Sequence, residues 1–183
     1  MILNNNWLTI YDAVRLGKFA LSLHPEKTRL TEFGRFAAER HQRRGLGKPE
    51  TFAFLGFTFI CGKSLGGKFL VHRRTRRDRM KAKLQAIKEE LRRRMHWPIP
   101  DQGKWLGYVV NGYFNYHAVP LNYGALARFR DEIILRWKRA ISRRSQKGRI
   151  NWPRMIEIAD AYLPQPKIRH PWPAQRFAVR HPR

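Results

Sequence analysis

From Thr75 onward the apolar positions recur at helical spacing. Met80, Leu84, Ile87, Leu91 and Met95 fall on one stripe of a helix that should stop at Trp97-Pro98, because the residue before a proline is pushed out of the helical region. A second helix is expected from Asp101, read as its cap, to about His117. Its stripe is Trp105, Val109, Gly112, Tyr113 and Tyr116, with Gly112 marking a close approach of a neighbouring element. A third runs from Tyr123, capped by Asn122, to about Arg144, with Leu126, Phe129, Ile133, Trp137 and Ile141 inward. A fourth follows a cap at Asn151 and turns Met155, Ile156, Ala159, Tyr162 and Leu163 inward; prolines at 164, 166, 171, 173 and 182 then predict an extended tail.

Before Thr75 the period is two. Phe52 to Phe59, Phe-Ala-Phe-Leu-Gly-Phe-Thr-Phe, predicts one strand apolar on both faces, with Gly56 as a bulge or a point of close backbone passage. Gly62 to Gly67 is a tight connection, and Lys68 to His72 returns as the second strand of a hairpin. Upstream, a short helix is expected within Arg15 to Leu23 and an extended piece over Arg29 to Phe33. Gly34 to Pro49 reads as a loop holding at most one helical turn. The fold class expected is α+β: short antiparallel strands over 1–72, a basic three- to four-helix bundle over 73–163, and a Pro-rich tail over 164–183.

Charge changes the picture. Among 183 residues, 38 are Lys or Arg and 13 are Asp or Glu, a net charge of +25 beside a hydrophobic fraction of 43%. A chain able to build a core yet so self-repelling points to a polyanionic partner, nucleic acid before membrane. On the first long helix Arg77, Lys81, Lys88 and Arg92 flank the apolar stripe on one side, and Arg76, Arg79, Lys83 and Arg94 on the other. Asp78, Gln85 and Glu89 face outward. Arg73 and Arg74 precede this helix. On the third, Arg128, Arg139 and Arg143 lie away from the core set, and Arg144 opens a basic connector. Arg73, Arg74, Arg76, Arg77, Arg79, Lys81, Lys83, Lys88, Arg92, Arg128, Arg139, Arg143 and Arg144 are therefore the candidate RNA contacts. The aromatic residues Tyr113, Phe114 and Tyr116 read first as core and second as stacking partners for unpaired bases.

Chemistry is sparse. Cys61 is alone, the seven histidines show no paired ligand spacing, and the carboxylates are scattered, so no catalytic or metal-binding residue is assigned. No apolar run reaches the roughly 20 residues of a membrane span and no secretory leader is recognisable, so the expected location is the cytoplasm.

The segment Leu21-Ser22-Leu23-His24-Pro25-Glu26-Lys27-Thr28, then Phe54-Leu55-Gly56-Phe57, then the basic helix, then Gly112-Tyr113-Phe114-Asn115-Tyr116 follow in an order that resembles the C-terminal part of a bacterial group II intron-encoded reverse transcriptase/maturase. The likeness runs from about Arg15 into the tail. It implies that 1–72 is the end of a palm and 73–163 a thumb and maturase-specific domain. Lys27 resembles the palm lysine near the incoming nucleotide's phosphates. Phe54 and Gly56 match the strand motif, and Gly112, Tyr113, Asn115 and Tyr116 the helix motif. The family's Mg2+-binding Tyr-x-Asp-Asp turn belongs upstream of the Lys27 segment, so the chain is expected to hold no cofactor, to be a truncated or rearranged product, and to be inactive by itself as an RNA-directed DNA polymerase. The implied partner is structured intron RNA, in RNA splicing and movement of the mobile element, with DNA/RNA duplex second and no membrane. Self-association, or docking to a palm domain, is expected through the aromatic strand. Two other readings stand beside this one: the C-terminal half of a split polymerase, and a general basic nucleic-acid binder.

Overall fold

The computed structural model describes residues 17–22, 31–144, 150–173 and 175. The chain forms two compact units, Met1–Thr51 and Phe52–Arg183. All three strands fall in the second unit, with the long helices. The described residues are α+β, with five helices and one three-stranded antiparallel sheet. None of these helices is long and apolar enough to cross a membrane.

In the first unit, α1 spans Ala37–Arg43. The expected loop with one turn is here a seven-residue helix. Glu32 gathers its basic side chains, lying 2.5 Å from Arg40, 3.5 Å from His41 and 3.2 Å from Arg44. Lys27 lies outside the described residues, as do Arg15, Leu16 and Leu23 of the segment expected to hold a short helix; of its remainder only Gly17 is helical, 18–20 form a turn and 21–22 have no regular structure.

The second unit opens with a correction. Phe52 to Phe59 is two strands: β1, Phe52–Phe54, and β2, Phe57–Lys63, joined by a two-residue turn. Leu55 and Gly56 both take positive φ, 45° and 76°, the conformation that lets a right-twisted hairpin close in two residues. Gly56 is therefore a turn glycine and not a bulge. The apparent double apolar face is resolved by pairing, for Phe52 stacks on Phe59 across the ladder at 4.9 Å. β3, Phe69–Thr75, returns antiparallel to β2, with Phe57 opposite Thr75 and Lys63 opposite Phe69.

Four helices follow: α2, Arg77–Arg93; α3, Ile99–His117; α4, Tyr123–Ser142; and α5, Trp152–Tyr162. They share one core built on Leu84, Ile87, Leu91, Leu106, Phe114, Phe129, Ile133, Trp137 and Met155. α4 packs against each of the other three. Its five predicted core residues are all buried, as are Leu84, Ile87 and Leu91 of α2.

α3 departs from expectation. It begins at Ile99, with Pro98 at the cap position and Pro100 in the first turn, so Asp101 is inside the helix. Its buried face is Gln102, Gly103, Leu106, Val110, Tyr113 and Phe114, displaced from the predicted stripe. A polar residue and a glycine on that face explain the displacement. Gln102 is fully buried, donating to the Arg94 carbonyl at 2.5 Å and accepting from the Trp137 indole at 2.9 Å. The close approach occurs at Gly103 and Gly107, where a Cβ would lie 2.4 Å from the Tyr162 ring and 2.7 Å from the Tyr162 carbonyl oxygen. Gly112 instead borders open space.

Asn151 caps α5 as expected, accepting from the Arg154 amide at 3.0 Å, but Ile156 is half exposed on its outer side. Asn122 does not cap α4 with its side chain. Its carboxamide accepts from the Thr75 amide at 3.1 Å and donates to the Thr75 hydroxyl and the His117 carbonyl, both at 2.8 Å, fastening the end of β3 to the α3–α4 connection. After α5 the chain runs without regular structure over 164–170, and the amides of Arg169 and His170 donate to the Ala118 carbonyl.

Candidate nucleic-acid interface

The two charged flanks of α2 face two different depressions. Residues 79 and 83 lie on one side of the helix and residues 88 and 92 roughly half a turn away, a consequence of about 100° per residue. Lys88 and Arg92 border a groove between α2 and α4, whose other wall is Arg136, Arg139 and Arg143. Leu91, Met95 and Ala140 contribute its apolar lining, Gln85 its remaining polar group, and it encloses about 580 Å³. No carboxylate lines it. Lys88, Arg92, Arg139 and Arg143 form no ion pair with any described residue, whereas Arg136 is paired with Glu132 one turn earlier. Four unpaired cations are thus held on two rigid helices whose separation is fixed by the core.

Arg79 and Lys83 border the second depression, a cleft of about 420 Å³ between α2 and α3, together with Tyr108, Val109, Gly112, Tyr113, Tyr116 and His117. Tyr113 is buried and its ring stacks on Phe129 at 3.5 Å. Burial pushes its hydroxyl up to about 12. His117 is pushed down to about 4 by burial. Its Nδ1 lies 3.3 Å from the Thr75 hydroxyl, which already accepts from Asn122 and so has its own hydrogen to give to a neutral imidazole. Tyr116 is half exposed. Its hydroxyl donates to the Leu55 carbonyl at 2.8 Å, and its ring stacks on Phe57 at 5.7 Å.

The other predicted contacts are distributed differently. Arg77 and Lys81 are exposed on the Lys88 side of α2, N-terminal to the groove, and Arg74 is exposed on β3. Arg73 is half-buried, with its guanidinium shifted downward by that burial. Arg76 is engaged by the Asp78 carboxylate, which it holds below the usual range. Arg128 is exposed but stands about 16 Å up α4 from Arg139, away from the groove. Arg144 donates to the Trp97 carbonyl, tying the end of α4 to the α2–α3 connection. Of the motif residues, Phe54 is exposed at the end of β1, and Asn115 accepts from the Arg169 guanidinium, so it anchors the segment after α5.

Sequence reading missed three polar or aromatic lining residues. Arg136 stands three and seven positions before Arg139 and Arg143, a helical spacing that was open to inspection. Tyr108 stands four before Gly112 and eight before Tyr116, and was hidden by placing the core stripe one residue off. His117 carries no local signal, since its side-chain partner Thr75 comes from 42 positions earlier.

Comparison with protein-family models, with curated proteins and with solved structures yields no match.

Proposed function

We propose that this chain is an RNA-binding protein of group II intron reverse transcriptase/maturase type, in which β1–β3 stand for the end of a palm and α2–α5 for a basic thumb and maturase-specific bundle with its Pro-rich tail. The observation that carries the reading is the α2–α4 groove, with Lys88, Arg92, Arg139 and Arg143 converging and no carboxylate in the lining. Folded RNA is held mainly through phosphates and 2′-hydroxyls by shape, which suits cations fixed on helices. Ordered motifs from the Phe54 strand to Tyr116 supply the intron RNA as the partner. Among the described residues no three His, Cys, Asp or Glu side chains converge. RNA binding is the activity proposed for the chain.

Titration of fluorescently labelled group II intron RNA, by anisotropy across a salt series, tests this. Tighter binding than to unrelated RNA of equal length is expected at about 0.15 M salt, with log affinity falling linearly in log salt. The quadruple charge reversal K88E/R92E/R139E/R143E should flatten that slope by about 3 to 4, at roughly 0.9 per duplex phosphate contact. Equal affinity for unrelated RNA removes the maturase reading and leaves the general basic binder.

A further inference from the structure

We propose that the α2–α3 cleft is a slot for one unpaired nucleotide of a single strand, its base stacked on tyrosine over Gly112 and its phosphate held by Arg79 and Lys83. The proposal rests on the nucleic-acid reading above but concerns a different side of α2 and a different form of the ligand.

Tyr108, Gly112 and Tyr116 occupy successive turns of one face of α3, at spacing four and four. Between the two tyrosines the helix rises about 12 Å, more than the thickness of a base, and nothing lies within 4 Å of the position a Gly112 Cβ would take. The gap is therefore open, with one tyrosine a turn before it and another a turn after it. Tyr108 is 79% exposed, an unusual state for a residue that packs well. Tyr116 is set in place on one side by Phe57 and by its hydrogen bond to Leu55, so the ring enters a complex without further ordering.

Across the cleft Arg79 and Lys83 bring two cations without a described ion-pair partner, and no acidic side chain lines the site. Base stacking on an aromatic ring beside a basic wall is how single strands are gripped with little regard to sequence. Duplex bases are unavailable for it, because they are already stacked. At about 420 Å³ the cleft falls in the usual range of roughly 300–1,000 Å³ for small-ligand sites. A peptide partner would leave Arg79 and Lys83 facing a ligand of no stated charge.

The test uses the full chain and an eight-nucleotide strand carrying one central 2-aminopurine, as RNA and as DNA, beside a blunt hairpin duplex closed by a non-nucleotide linker so that it holds no unpaired base. Stacking in the cleft should quench the 2-aminopurine. Y108A and G112L should relieve the quenching and weaken single-strand binding by at least about fivefold, with hairpin affinity unchanged, while Y108F keeps both properties. The tighter of the two strands identifies the natural sugar. Tyr108 is exposed and Gly112 borders open space, so neither change disturbs the core. The slot is overturned if Y108A and G112L leave quenching intact, or if they weaken hairpin and single strand equally. Loss of intron preference with the quenching retained would instead overturn the maturase reading alone.

Discussion

Glycines 107 and 112 sit five residues apart on one helix and should answer the same substitution oppositely. A methyl group at 107 meets the Tyr162 carbonyl oxygen at 2.7 Å, and backbone cannot step aside as a flexible side chain can. G107A should cost about 1–3 kcal/mol by overpacking, and G112A should add about 0.5–1 kcal/mol by relieving the glycine penalty in a helix, both read from urea unfolding of the full chain. His117 gives a residue-scale pH dependence. Its folded value of about 4 lies below the ordinary 6.5, so between these limits the unfolded chain binds the proton and the folded one does not. Stability from this group is complete above pH 6.5 and is lost as pH falls towards 4. Thermal melts of the wild type and H117Q across that window should show a Tm decline that the variant reduces.

Among the elements, those read well from sequence are the ones where hydrophobic burial alone decides the face. In α4 the five apolar positions at spacing three and four are all buried, joined by Arg130 and Ile134. In α3 the buried face includes Gln102 and Gly103, a residue held by three hydrogen bonds and one chosen for having no side chain. Neither registers as apolar, and the large rings of Trp105 and Tyr116 pull the apparent stripe aside. The β1–β2 turn was hidden for a related reason: Leu55-Gly56 lacks the Asn or Asp that announces such turns, and the aromatic run continues through it. Pairing of the strands still leaves Phe54 57% and Leu55 66% exposed at the tip. Adjacent apolar residues in that state favour association. Concentration-dependent dimers are expected in sedimentation velocity, F54D should shift them to monomer, and a monomeric wild type at high concentration would remove the expectation.

For the whole molecule, charge and composition pointed to a polyanion, and the flanks of α2 were legible as two rows because helical geometry is so regular. What no one-dimensional pattern supplied was the partner of each row. Lys88 and Arg92 gain their significance from Arg136, Arg139 and Arg143, some 44 to 55 positions further on by residue number, and Arg79 and Lys83 from tyrosines of α3. Arg76 and Arg144 were counted with the phosphate contacts on charge alone, yet the fold engages them with Asp78 and with the Trp97 carbonyl. Packing, through a core centred on Trp137, decides which cations remain available.

The outward crest of α2 carries Asp78 and Glu89, the latter accepting from Gln85 at 2.8 Å, and it rises between the two basic hollows. It works as a watershed. A polyphosphate chain lying in one valley meets the Glu89 carboxylate at the ridge line, Asp78 being paired with Arg76, so the cheapest way to occupy both valleys is to lift clear of the summit and descend again. If both proposals hold, helix α2 parts paired from unpaired ribonucleic acid, with a short untouched span of the strand arching over its back.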